Sequence, residues 1–92
     1  MSDFLLHDEN DTVGVVVADV EQHQAVKGRT LAGKDVPQLK SLSNISLGHK
    51  IAIQDFEPGD TVIKYGVDIG KVVKSIKTGE HVHTHNLKTK RW

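Results

Sequence analysis

Ile45-Ser46-Leu47-Gly48-His49-Lys50-Ile51, Phe56-Glu57-Pro58-Gly59-Asp60-Thr61-Val62 and Ile76-Lys77-Thr78-Gly79-Glu80-His81-Val82 are three copies of one local pattern. Each has an apolar residue, two others, Gly, two others and an apolar residue. A fourth copy, Val20-Glu21-Gln22-His23-Gln24-Ala25-Val26, carries His23 where the others carry Gly. The pattern reads as a turn: the apolar residue plugs a core, Gly takes the positive φ of a tight turn, and a strand leaves on the far side. Pro58 before Gly59 presets the first central position of a type II turn. Short strands are therefore expected over 50–53, 61–65 and 80–84.

Outward from these copies the chain stays extended. Residues 12–18, Thr-Val-Gly-Val-Val-Val-Ala, are β-branched and apolar between Asp11 and Asp19, the mark of a buried strand. Residues 27–35 read as a hairpin or loop, and residues 69–73 as either a strand or a single helical turn. Turn signals recur about every 8–15 residues without a helical period, which indicates an all-β fold, a small barrel or folded meander. No linker divides the chain, and the turn unit is too short and irregular for a solenoid.

Ninety-two residues make one domain, 1–92. A chain of this size buries only about 60–65 % of the surface its unfolded form exposes, so a deep private active site is hard to build. The absence of cysteine excludes disulfides and thiolate zinc sites and agrees with a reducing cytoplasm. Met1-Ser2-Asp3-Phe4 has no basic region leading into an apolar run, so no signal peptide is expected, and no stretch has the length of a membrane span. Twelve basic and twelve acidic residues cancel, which argues against nucleic acid as the main partner. The start is acidic (Asp3, Asp8, Glu9, Asp11) and the end basic (Lys88, Lys90, Arg91). Two solvated tails are the simple reading; the other is a basic tail, 87–92, that docks on another chain with Trp92 as anchor.

Glu80-His81-Val82-His83-Thr84-His85-Asn86 carries the chemistry. On an extended strand His81, His83 and His85 share one face, with Val82 on the other. Imidazoles so placed suggest metal binding or proton transfer. Same-face neighbours are about 6.8 Å apart, so His81 and His85 would lie about 13 Å apart. Metal–nitrogen bonds of about 2.0–2.1 Å then allow two adjacent histidines on one ion, but not three unless the strand bends sharply. A further ligand must come from elsewhere, with His49, His7 or another chain as candidates. Lys50 beside His49 and Lys64 at a strand end are candidate anion contacts, although each also fits an ordinary turn or a snorkelling side chain. No nucleophile motif or phosphate loop is present.

Taken in order, Ser46-Leu47-Gly48-His49-Lys50-Ile51-Ala52, Gly59 to Gly66, Ile69-Gly70 and Gly79 to Asn86 resemble the SAF domain of the altronate and galactarate dehydratase family. The resemblance runs from about His7 to the C-terminus, with 7–86 as its core, and His23 departs from it. It implies a β-clip fold. The Lys-Thr-Lys-Arg-Trp ending is similar to that of free-standing small subunits of sulfolactate-cleaving lyases. That likeness implies a larger catalytic (beta) subunit and loss of sulfite from (2R)-3-sulfolactate to give pyruvate. The alternative is loss of water from a sugar acid. A divalent metal, iron first, is the expected cofactor and a small anionic hydroxy acid the expected substrate. On this reading His81, His83 and His85 are catalytic, His81 and His83 ligate the metal, and His49, Lys50, Lys64 and Asn86 bind substrate. A non-catalytic SAF binding or assembly module and a metal carrier are the competing classes.

Overall fold

The computed structural model describes residues 2–89. Among them there are nine strands and no helix, so the chain is all-β. The strands are β1 (Phe4–Leu6), β2 (Val13–Val16), β3 (Ala25–Thr30), β4 (Asp35–Lys40), β5 (Lys50–Ala52), β6 (Thr61–Lys64), β7 (Val67–Val72), β8 (His81–Val82) and β9 (Leu87–Thr89). Six of them form a sheet in the order β4-β3-β1-β2-β5-β8, and β6-β7-β9 form a second. Only the β1–β3 pairing is parallel.

All four copies of the repeated pattern are turns. His23, Gly48, Gly59 and Gly79 have φ of 71°, 88°, 95° and 92°. Each turn closes from the residue after this position back to the one before it by two: Gln24 N to Glu21 O, His49 N to Ser46 O, Asp60 N to Glu57 O and Glu80 N to Lys77 O, at 3.0–3.1 Å. His23 therefore keeps the geometry that Gly favours elsewhere.

The turns work in pairs. Val20 and Ile45 exchange both backbone hydrogen bonds at 2.8 Å, and Phe56 and Ile76 do so at 2.8 and 3.0 Å. The residue before each plug then reaches across to cap the opposite turn. Asp19 accepts from Leu47 N, Asn44 from Gln22 N, and Asp55 from Thr78 N. The fourth cap cannot form because Pro58 has no N–H; Ser75 donates its hydroxyl to Glu57 instead. The positive-φ residue of each turn also donates to the carbonyl four residues before the opposite plug: His23 to Ser41, Gly48 to Val16, Gly59 to Val72 and Gly79 to Ala52. The repeat is thus a local two-fold joint used twice.

Each joint has its own core. Val20 and Ile45 lie with Phe4, Leu6, Val16, Val26 and Ile51. Phe56 and Ile76 lie with Val13, Ala52, Val62, Val72, Val82 and Leu87. β2 and β5 serve both, since Val13 and Ala52 face one core while Val16 and Ile51 face the other. Burying a plug such as Phe56 contributes about 1.5–3 kcal/mol.

Several expected boundaries shift. The strand expected over 61–65 ends at Lys64, because Tyr65 and Gly66 (φ 58° and 71°) form the two-residue turn to β7. Residues 69–73 belong to a strand, β7, and 27–35 to the β3–β4 hairpin. The stretch expected extended to residue 84 leaves the sheet after Val82. Within the supposed basic tail, Leu87–Thr89 is a strand paired with β7. The end of that tail, with Trp92, lies outside the described residues.

Candidate functional site

β8 is the edge strand of the larger sheet and pairs antiparallel with β5, Ile51 opposite His81 and Lys50 opposite Val82. That register continues to His49 opposite His83. Ile51 and Val82 are buried in the two cores and fix the pleat, so His49, His81 and His83 project from one face. His49 Nδ1 and His81 Nε2 are 2.9 Å apart, sharing one hydrogen. The His83 ring centroid is 5.0 Å from that of His49 and 5.4 Å from that of His81, nearly parallel to the latter.

The straight strand expected through His85 is replaced by a turn. Asn86 N and Leu87 N both donate to His83 O, at 3.1 and 2.9 Å, and the chain folds back. The His81 and His85 ring centroids are consequently 5.5 Å apart, not the 13 Å of an extended segment. The chain bends sharply after His83, and the β5–β8 register separately brings His49 to His81 and His83.

The other predicted site residues fall as follows. Lys50 stands close enough to His81, and Lys64 close enough to Lys50, for their charges to interact. Lys64 is held below the usual lysine range by burial and by Lys50, with Asp11 opposing. Its ammonium also sits 4.4 Å from the Tyr65 ring centroid. His81 is pushed below the usual imidazole range by burial first, then by His49, His83, His85 and Lys50. Asn86 is buried beneath the loop, its amide engaged with the backbone of His81 and His83. His7, offered above as a further ligand, stays apart: it stacks on Tyr65 at 3.8 Å and lines a separate groove with Asp8, Thr30 and Lys34.

One ligand nitrogen from each of His49, His81 and His83 lies within 4.8 Å of the others. Two nitrogens bound at right angles to one ion at 2.0–2.1 Å are about 2.8–3.0 Å apart, the separation that His49 and His81 already have. Neutral imidazoles suit such an ion. The trio therefore fits a divalent metal with open positions, and His85 stands outside it.

Sequence reasoning missed the groups that hold the site. Asp11 is buried and accepts from Gly66 N at 2.9 Å and Asp8 N at 3.2 Å, anchoring the hairpin tip beside Lys64. Thr12 exchanges bonds with Ile63 through Thr12 N and Oγ1, each at 3.0 Å. Ser43 Oγ accepts from His81 N at 3.3 Å. The available signal was chemical: Asp11-Thr12, an Asp-Thr pair opening an apolar strand.

Residues 2–90 match the sequence profile of the altronate/galactarate dehydratase SAF domain. The chain is 52 % identical over 91 residues to the (2R)-sulfolactate sulfo-lyase subunit alpha of Chromohalobacter salexigens, covering 98 % of this chain and 97 % of that protein. It is 54 % identical over 55 residues to the protein of that name from Paracoccus pantotrophus, covering 60 % and 82 %. The altronate dehydratase of Bacillus subtilis is 35 % identical over 89 residues, 97 % of this chain but 17 % of that enzyme. Among the described residues no helix is long and apolar enough to cross a membrane.

Proposed function

The chain belongs to the altronate/galactarate dehydratase SAF-domain family, and from that premise we propose that it is the small subunit of a cytoplasmic carbon–sulfur lyase. With a larger catalytic subunit it eliminates sulfite from (2R)-3-sulfolactate to give pyruvate. The observation that carries this reading is the end-to-end match at 52 % identity to a protein named as an alpha subunit. The altronate dehydratase, by contrast, contains the like of this chain as a small fraction of its length.

The chemistry suits the cluster. Removing the proton from the carbon that bears the carboxylate and breaking the C–S bond sends the electron pair out with sulfite. The enol left behind relaxes to the ketone. The substrate carries two negative charges at neutral pH, and Lys50, whose charge reaches His81, offers a cation at the site's margin with Lys64 next to it. His49, His81 and His83 would hold a divalent metal, iron by expectation. Such an ion, when bound, stabilises the enediolate charge that develops on the carboxylate and 2-hydroxyl. The histidines stand on a sheet edge with His83 and His85 exposed, which agrees with a pocket completed by the larger subunit.

The test is reconstitution. The chain is co-purified with the larger subunit of a sulfolactate-cleaving lyase, the complex is analysed for metal, and sulfite release from (2R)-3-sulfolactate is assayed against water loss from altronate and galactarate. Sulfite release that needs both chains is expected. Activity on the sugar acids alone overturns the substrate assignment. Full turnover by a complex carrying alanine at His81, His83 and His85 overturns the catalytic role and leaves an assembly module.

A further inference from the structure

Asn86 is 3 % exposed, and its amide makes three contacts. Oδ1 accepts from His83 N at 3.0 Å, Nδ2 donates to His81 O at 2.8 Å, and Nδ2 lies 3.1 Å from His85 Nε2. The first two fix which end of the amide is which. A backbone N–H can only donate and a carbonyl oxygen can only accept, so Oδ1 faces His83 and Nδ2 faces His81. A flipped amide would put oxygen against oxygen. The second hydrogen of Nδ2 then points to His85, whose Nε2 has to accept it.

We infer that Asn86 is a positioning residue that holds His85 as the tautomer protonated at Nδ1. His85 thereby meets the anionic substrate as a hydrogen-bond donor, acting neither as a base nor as a metal ligand. This rests on the functional reading above for the identity of the anion, while the tautomer follows from the hydrogen bonds alone. His85 is exposed, and its Nδ1 has no hydrogen-bond partner among the described residues. Its Nε2 lone pair is taken by Asn86. His85 thus offers no lone pair to take a proton from carbon, and it stands in the cluster as a fixed donor.

The tautomer is read on the full, 15N-labelled chain with chelator present, at a pH well above the ordinary imidazole pKa. Two-bond proton–nitrogen correlations of the rings are recorded, with H85A identifying the His85 signals. His85 is expected to show a protonated, pyrrole-type Nδ1 and a pyridine-type Nε2. In N86D, whose carboxylate cannot donate, the pattern is expected to reverse. A wild-type ring protonated at Nε2 overturns the proposal whether or not N86D folds. In the reconstituted complex, H85A is expected to raise KM for sulfolactate roughly 10–100-fold, the loss of one charge-assisted hydrogen bond, with a smaller effect on kcat. A collapse of kcat at unchanged KM makes His85 the base and overturns the proposal. If the complex does not act on sulfolactate at all, the functional reading fails while the ring spectrum still decides the tautomer.

Discussion

Gly59 and Gly79 occupy the same position of the repeated turn, with φ of 95° and 92°, yet they differ in what a side chain would meet. A Cβ on Gly59 enters open space, whereas one on Gly79 runs into the carbonyl oxygen of Lys40 and crowds Leu42 N. Alanine at either site bears the left-handed backbone cost of about 1–2 kcal/mol. Only G79A adds overpacking against main chain, about 1–3 kcal/mol. It also threatens the 2.8 Å bond from Leu42 N to Gly79 O, a further ~0.5–1.5 kcal/mol if lost. G79A should therefore cost about 2–5 kcal/mol with that bond kept and up to about 6 with it lost, against about 1–2 for G59A. At roughly 4–8 °C per kcal/mol for a domain of this size, the pair is separable in a thermal melt.

Urea and thermal unfolding of the metal-free chain, followed by circular dichroism, measure both variants against wild type. The site gives an independent readout. Gly79 leads directly into Glu80 and His81, so G79A should also weaken divalent-ion binding by the chain, and G59A should not. Equal destabilisation by the two substitutions would refute the packing of the Gly79 turn on residues 40–42. It would leave positive φ as the whole reason for glycine there.

Other outcomes follow from the same coordinates. His23 is the one repeat position that bears left-handed strain with a side chain, so H23G should stabilise by up to about 1 kcal/mol, the relieved strain less glycine's entropy cost, in the same urea titrations. Asp55 is held below the usual aspartate range chiefly by the backbone N–H of Thr78, then by its hydroxyl. A depressed carboxyl contributes stability above its unfolded pKa and loses it as pH falls through the folded one. Wild type should therefore lose stability on acidification below about pH 4 faster than D55N, measured as urea midpoints against pH. Calorimetric titration with Zn²⁺ or Co²⁺ should show H49A, H81A and H83A each weakening binding by at least about tenfold, and H85A by far less. Equal losses from all four would place His85 among the ligands.

The joints were legible because each has a local signature. An apolar plug, a residue tolerant of positive φ, and a short polar cap lie within a few positions, so the turns at Gly48, Gly59 and Gly79 could be read one at a time. The pairing of plugs could not be read, because Val20 meets Ile45 across 25 residues and the exchange is made by main chain. β1 and β9 have three residues each and no periodicity to betray them; Phe4 is located by its parallel register with Gly28. Of the site, the shared face of His81 and His83 followed from strand alternation around Val82. His49 depended on the β5–β8 register, which period alone does not give. His85 was placed on the right cluster by a wrong route, since alternation put it far down a strand that the Asn86 turn ends.

The charge pattern of the cluster argues for what must sit against it. His49, His81, His83, His85 and Lys50 bring five basic side chains together in a domain whose total charge is zero, and Lys64 acts in turn on Lys50. Two of them, His81 and Lys64, are driven toward their neutral forms by burial and by their neighbours. Asp11 opposes the shift of Lys64, and its oxygens are already accepting from Asp8 N and Gly66 N to hold the hairpin tip. Crowded like charges on a thin core cost stability, and the cost falls when an anion arrives between them. On the proposed function that anion is a dianion, whose two negative groups would meet the lysines at one end and His85 with the histidine trio at the other, while a neutral hydroxy compound would leave the repulsion in place.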